Sequence, residues 1–200
     1  SIRMKTTKTF HFKPFWLGFL TVFFLIGSGG SSASQSPEII WQALKRGEAL
    51  ALIRHSYAPG TSDPPGFLLR DCSTQRNLSE DGRIQSRKLG AFFRAQGIND
   101  ALVYSSQWCR CLETANLLGL GPVEELPALN SFFEEPDRGP EQTAKIRTFL
   151  STLIQQAPVI LVTHQVNITA LTGVVPSSGE IIIFQKEKNG LGKLLGRFIP

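Results

Sequence analysis

Two short segments are apolar at nearly every position and then stop on polar residues: ALALIRH (Ala49–His55) and PVILVTHQ (Pro158–Gln165). A strand with one wetted face alternates apolar and polar residues; a continuous apolar run is buried on both faces. Such strands belong inside a mostly parallel sheet that is covered on either side. DALVYSS (Asp100–Ser106) and VEELPAL (Val123–Leu129) read as two more strands. Helical patterns fall before and between them: PEIIWQALKRGE (Pro37–Glu48), LSEDGRIQSRKLGAFFRAQG (Leu78–Gly97), QWCRCLETANLLG (Gln107–Gly119), EQTAKIRTFLSTLIQQA (Glu141–Ala157) and the short NITALTG (Asn167–Gly173). Ser79 is placed as an N-cap and Gly97 as the stop of the second helix. SYAPGTSDPPGF (Ser56–Phe67) is a Pro/Gly-rich loop. GEIIIFQKEKNGLGKLLGRF (Gly179–Phe198) reads as two strands turned at Asn189-Gly190. Strands alternating with helices predict an α/β three-layer sandwich: a mostly parallel central sheet, helices on both faces and a C-terminal edge hairpin.

The first 33 residues follow another pattern. Lys5, Lys8 and Lys13 precede the 12-residue apolar block FWLGFLTVFFLI (Phe15–Ile26), and the small-residue stretch GSGGSSASQS follows. That order is expected of a secretory signal peptide. It predicts a leader over 1–33, cut after Ser31-Ser32-Ala33, and one domain over 34–200. The block is short of the roughly 20 residues of a membrane span, so membrane contact is expected only through an uncleaved leader, if at all. The expected location is periplasmic or secreted. Residues 1–33 carry four of the 21 basic residues and no acid, so the net charge of +5 falls to +1 without them. A nucleic-acid partner, which needs a basic surface, is therefore not expected. In an oxidising compartment the three cysteines predict one disulfide and one free thiol. Cys109 and Cys111 are too close to pair on a helix, which leaves Cys72 with Cys109 or with Cys111. Cys-Arg-Cys is not a usual zinc spacing, and no metal and no cofactor are expected.

In such sheets ligands bind beyond the carboxyl ends of the strands. The first strand ends on Arg54-His55, the second on Ser105-Ser106, and the fourth on Thr163-His164. Arg110 and Thr114 lie one turn apart on the helix after the second strand. Both histidines beyond the leader therefore stand where parallel strands end.

LIRHSYAPG, LSEDGRIQSRKLG, VYSSQWCRCLETA and VILVTHQVNITALTG together resemble, in order, the four landmarks of the histidine phosphatase (phosphoglycerate mutase-like) superfamily. The short length and the leader look most like its exported single-domain branch, which includes lipopolysaccharide core heptose phosphate phosphatases. The resemblance implies a metal-independent phosphatase in which His55 attacks phosphorus and carries a covalent phosphohistidine. Arg54 and Arg110 would grip the phosphate through forked, charge-assisted bonds, and His164 would supply a further hydrogen bond. The sequence departs from the family pattern at three places. Ser56 and Gln165 stand where glycine is usual, and Ser131 falls where a glutamate is common. Glu134 is therefore the first candidate for the acid that protonates the leaving group, with Glu135 and Asp63 as alternatives. Arg76 and Gln165 are candidate substrate-binding residues. A Cys72 disulfide to Cys109 or Cys111 would pin the loop bearing Arg76 beside Arg110.

The substrate expected is a small phosphomonoester, with a cell-envelope sugar phosphate as the specific candidate. Two other readings share the fold: a non-catalytic phosphate- or phosphosugar-binding module, and a mutase. The short connection Leu129–Gly139 leaves little room for the substrate cap that a mutase would need.

Overall fold

The continuous apolar run Ala49–Arg54 forms strand β1 inside a six-stranded sheet, with Ala49 to Ile53 all buried. In the computed structural model, residues 35–154, 156–188 and 190–200 are described; the expected leader and the Asn189 half of the expected turn lie outside them. The other strands are β2 (Leu102–Ser105), β3 (Val123–Glu125), β4 (Val159–Thr163), β5 (Ile181–Glu187) and β6 (Gly190–Phe198), in the spatial order β3-β2-β4-β1-β5-β6. The first four in that order run parallel, while β5 and β6 join antiparallel as the edge hairpin.

Alternate residues of β1 feed two cores. Ala49, Ala51 and Ile53 pack with helices α1 (Pro37–Lys45), α2 (Glu80–Ala95) and α3 (Cys109–Leu118) through Trp41, Leu44, Phe93 and Leu118. Leu50 and Leu52 face α4 (Gly139–Thr152) and α5 (Gln165–Thr172) through Ile146, Leu150 and Ile168. Each of these buried leucines contributes on the order of 2 kcal/mol. The three-layer α/β sandwich expected from the sequence is the fold observed.

Element ends differ from the sequence expectation for local reasons. Helix α1 stops at Lys45 because the Glu48 N–H returns to the Ala43 carbonyl (2.9 Å), turning the chain into β1. The third strand ends at Glu125 rather than Leu129, since Pro127 cannot donate to a ladder and opens a 3-10 turn over Pro127–Leu129. Helix α4 starts at Gly139 rather than Glu141, with Pro140 pre-set for a first turn, and its last helical residue is Thr152 rather than Ala157.

Two glycines let α2 dock closely. A Cβ on Gly82 would lie 2.1 Å from the Tyr57 carbonyl oxygen, and one on Gly90 would lie 2.0 Å from that of Leu118. The first contact seats the loop that follows β1 on the opening turn of α2. The second seats α2 against the end of α3.

Candidate active site

The parallel pairing of β1 with β4 sets Arg54 opposite Thr163, and the His55 N–H donates to the Thr163 carbonyl (3.0 Å). The residues that follow, His55 and His164, are thereby brought together, with ring centroids 5.5 Å apart. Beside them the Ser106 N–H donates to Val162 (3.0 Å), so β2 delivers the start of α3 and with it Arg110. Thr114 ties that helix back to the histidine loop. Its hydroxyl donates to the Arg110 carbonyl (2.7 Å) and accepts from the Ser56 N–H (3.0 Å).

Ser56 occupies its position without strain: among the described residues, no residue other than glycine has a positive φ. Its hydroxyl accepts from Ser86 of α2 (2.7 Å), and both serines are fully buried. Gln165 likewise needs no glycine-like backbone; it is the first residue of α5.

The protonation of His55 follows from its partners. Its Nδ1 lies 2.8 Å from the Ser56 carbonyl oxygen, which can only accept, so Nδ1 carries the hydrogen. Nε2 is left with its lone pair and accepts from Arg110 Nε at 3.3 Å. Burial, then the charge of Arg110, pushes the His55 pKa down to about 3. The ring is therefore neutral throughout the physiological range, with the Nε2 lone pair facing the cavity. Burial and the same cation also push His164 well below the usual histidine value, so the free site supports a neutral His164. Its Nε2 shares a 2.8 Å hydrogen bond with Ser106 Oγ and lies 3.4 Å from the sulfur of the buried Cys111.

A cavity of about 300 Å³ opens over these groups. It is lined by Arg54, His55, Arg76, Arg110, Glu134, Glu135, His164 and Gln165, so every residue predicted for catalysis or substrate binding reaches one space. Arg54 donates to the Pro176 carbonyl (3.1 Å) and Arg76 to that of Ala58 (2.6 Å). The Nε groups of both are buried with no partner, a costly state that an incoming anion can relieve. Burial, then the neighbouring Arg110 charge, lowers the pKa of both arginines. Arg70, in contrast, pairs with Glu125 at the surface (2.9 Å) and does not line the cavity.

The three acid candidates stand differently. Glu134 and Glu135 are exposed on the cavity rim, and Glu135 reaches Arg138 at 3.4 Å. Asp63 is closed off, with its carboxylate paired to Arg110 Nη1 at 2.8 Å and both side chains about 5% exposed, at 5% and 6%. Burial alone would raise the Asp63 carboxyl. Hydrogen bonds from Arg110, from the Arg76 N–H and from the Trp108 indole, with the Arg110 charge, hold it below the ordinary range. It is ionised, and the structure removes it from the candidates for a proton donor.

Cys72 is bridged to Cys109, with Cα atoms 5.7 Å apart, which decides between the two pairings left open; Cys111 is free and buried. The bridge ties the Arg76 loop to the first residue of α3. Three aromatic walls of the cavity, Phe67, Trp108 and Phe133, carry no sequence signal of their own, because an aromatic residue in a loop is as readily packing as recognition.

Residues 50–135 match the family model described as the histidine phosphatase superfamily (branch 1). No curated protein matches the chain significantly. Among solved structures, the chain is similar to the protein histidine phosphatase SixA complexed with tungstate, at 17% identity and a TM-score of 0.53, covering 76% of this chain and 96% of that one. A mycobacterial glucosyl-3-phosphoglycerate phosphatase complexed with VO3 is 15% identical at a TM-score of 0.58, covering 74% and 97%. A mycobacterial hydrolase is 16% identical at 0.57, covering 74% and 96%. At these identities the likeness is one of fold.

Proposed function

We propose that this chain belongs to the histidine phosphatase superfamily and is an exported phosphatase that hydrolyses a phosphomonoester through a covalent phosphohistidine on His55. The observation that carries the reading is the His55 ring, held by Ser56 with Nε2 unprotonated in a cavity walled by Arg54, Arg76 and Arg110. Nε2 attacks phosphorus, forming the N–P bond as the P–O bond to the leaving group breaks. The arginines hold the phosphoryl oxygens, and His164 donates to the same group. Glu134 supplies the proton to the departing oxygen and takes one from the water that attacks next. That second attack breaks the N–P bond and returns the electron pair to Nε2. The similar structures solved with tungstate and with VO3 hold oxyanions of the same charge type as a phosphoryl group.

The leaving group is proposed to be a sugar of the cell envelope. Phe67, Trp108 and Phe133 offer flat apolar faces beside Thr61, Glu135 and Gln165, which can bond hydroxyls. That pairing of ring faces with polar rims suits a sugar. The N-terminal basic and apolar segment supports export.

The test is steady turnover of an aryl phosphate and of a sugar phosphate, with trapping of labelled phosphate on the protein. His55→Ala is expected to lose turnover and labelling by at least about a thousandfold while remaining folded, a loss in the range set by removing essential catalytic groups. Near-parental turnover in His55→Ala would reject the nucleophile. Saturable phosphate binding without turnover in the parent protein would favour the binding-module reading. Glu134→Gln is expected to slow the sugar phosphate far more than the aryl phosphate, whose leaving group departs without a proton. If Glu135→Gln has that effect instead, the acid is the neighbour.

A further inference from the structure

The mechanism above gives no task to the best-connected carboxylate in the cavity. Asp63 lies in the loop Ser56–Phe67, far in sequence from Arg110, yet its two oxygens meet three donors from separate segments. Oδ1 accepts from Arg110 Nη1 (2.8 Å) and from the Arg76 backbone N–H (2.9 Å), and Oδ2 accepts from Trp108 Nε1 (2.9 Å). Arg110 Nη1 also reaches the Arg76 carbonyl at 3.3 Å.

A guanidinium is a rigid plane of five N–H donors, so anchoring one nitrogen sets the direction of the others. With Nη1 anchored on Asp63, Nε meets His55 Nε2 at 3.3 Å. The same carboxylate offsets one of three guanidinium charges, those of Arg54, Arg76 and Arg110, gathered around a histidine that must stay neutral. A helix-borne arginine without this anchor would keep its rotamer freedom, and that freedom would have to be lost at each encounter with substrate.

We infer that Asp63 is a positioning residue that acts through Arg110, holding its guanidinium beside His55 Nε2. It joins the loop after β1, the Arg76 loop and the start of α3 into one phosphate cradle. The inference rests on the phosphatase reading but can be tested apart from it.

The experiment is a double-mutant cycle on the full domain, read by turnover and by vanadate binding. Asp63→Asn keeps the side-chain volume and one oxygen acceptor but removes the charge. It is expected to lower kcat at least tenfold, by the same factor for an aryl and for an alkyl phosphate. In an Arg110→Ala background the same change is expected to cost less than twofold, because the residue it acts through is gone. Asp63→Glu, which keeps the charge, is expected to recover part of the loss and serves where the asparagine variant does not fold. Multiplicative losses in the double variant would overturn the inference, as would a loss confined to the alkyl phosphate, the signature of a proton donor. If the parent protein turns nothing over, the phosphatase reading fails. The coupling between Asp63 and Arg110 in vanadate affinity then decides the positioning role alone, and its absence overturns it.

Discussion

Gly82→Ala should be harmful at a site where helix physics alone predicts a gain. In an exposed helix interior, replacing glycine by alanine stabilises by about 1 kcal/mol. At Gly82 the new Cβ would lie 2.1 Å from the Tyr57 carbonyl oxygen, against the 3.0 Å below which real Cβ atoms essentially never come. Backbone must move by most of an ångström, and Tyr57 is two residues from His55. The Tyr57 oxygen also accepts from the Ser79 N–H (3.2 Å), so the movement strains the start of α2 as well. Overpacking of this kind typically costs about 1–3 kcal/mol; with the occluded position and the strained cap, a net loss of about 2 kcal/mol is expected. For a domain of this size that is a drop in Tm of roughly 4–8 °C. Gly90→Ala meets the Leu118 carbonyl at 2.0 Å, on the same helix but against α3. The pair separates stability from function. Both variants should unfold at lower urea, but only Gly82→Ala should also lose kcat, by at least about tenfold if the histidine loop shifts as argued. Equal kcat in the two variants, or a Gly82→Ala protein more stable than the parent, would refute the docking argument.

Native, non-reduced protein should offer no reactive thiol to an aromatic disulfide reagent and one after denaturation, because Cys111 is fully buried and its thiol is pushed up to about 12, first by burial. Reducing Cys72–Cys109, which spans 37 residues, should cost about 4 kcal/mol on the chain-entropy estimate and lower turnover by freeing the Arg76 loop; unchanged activity after complete reduction would separate the bridge from the site. The pH profile of kcat/KM should show no acidic limb near 6.5, since His55 stays neutral in the fold down to about 3. The unfolded chain protonates both histidines below about 6.5 while the folded one does not, so their neutral burial favours the fold above that value. The unfolding free energy from urea titrations should fall as pH drops from about 6.5 towards 3, by at most about 1.4 kcal/mol per pH unit for each histidine, and the slope should be shallower in His55→Ala; an unchanged slope would mean that the His55 ring is not held neutral.

The histidine-and-arginine half of the site is legible because it is written in strand ends. A buried run must stop where the sheet stops, so Arg54-His55 and Thr163-His164 announced their place from hydrophobicity alone, and pairing of β1 with β4 did the rest. The Arg110–Thr114 spacing was equally readable, being one helical turn. Asp63 was readable only as a carboxylate in a Pro/Gly-rich loop. Its three partners come from 13 to 47 residues away, and no local period encodes them. Ser56 stands where glycine is usual, and nothing nearby in the sequence shows that its hydroxyl meets Ser86, 30 residues on. The choice of Cys109 over Cys111 turned on which side of α3 faces the Arg76 loop, and strand-and-helix patterning does not report that. The third strand reads longer in the sequence because its apolar residues continue past Pro127 into a turn that packs on the core beneath α4 and α5, the opposite core from the one Val123 joins.

The hydrogen-bond ladder that sets His55 beside Thr163 also bears on how a site of this kind can change. His55 and His164 follow directly on the two most deeply buried parallel strands, whereas Phe67, Phe133 and Glu134 are carried by surface loops. Drift at Phe67 and Phe133 alters which molecule fits without disturbing the strand-end histidines, so long as Asp63 and Glu134 are kept. The scaffold therefore presents an exchangeable mouth on a fixed pair of strand-end histidines. Loop segments 60–67 and 131–138, with Asp63 and Glu134 held fixed, are the natural units for recombination, and a library confined to them would explore new leaving groups while keeping the sheet, the bridge and the histidines untouched.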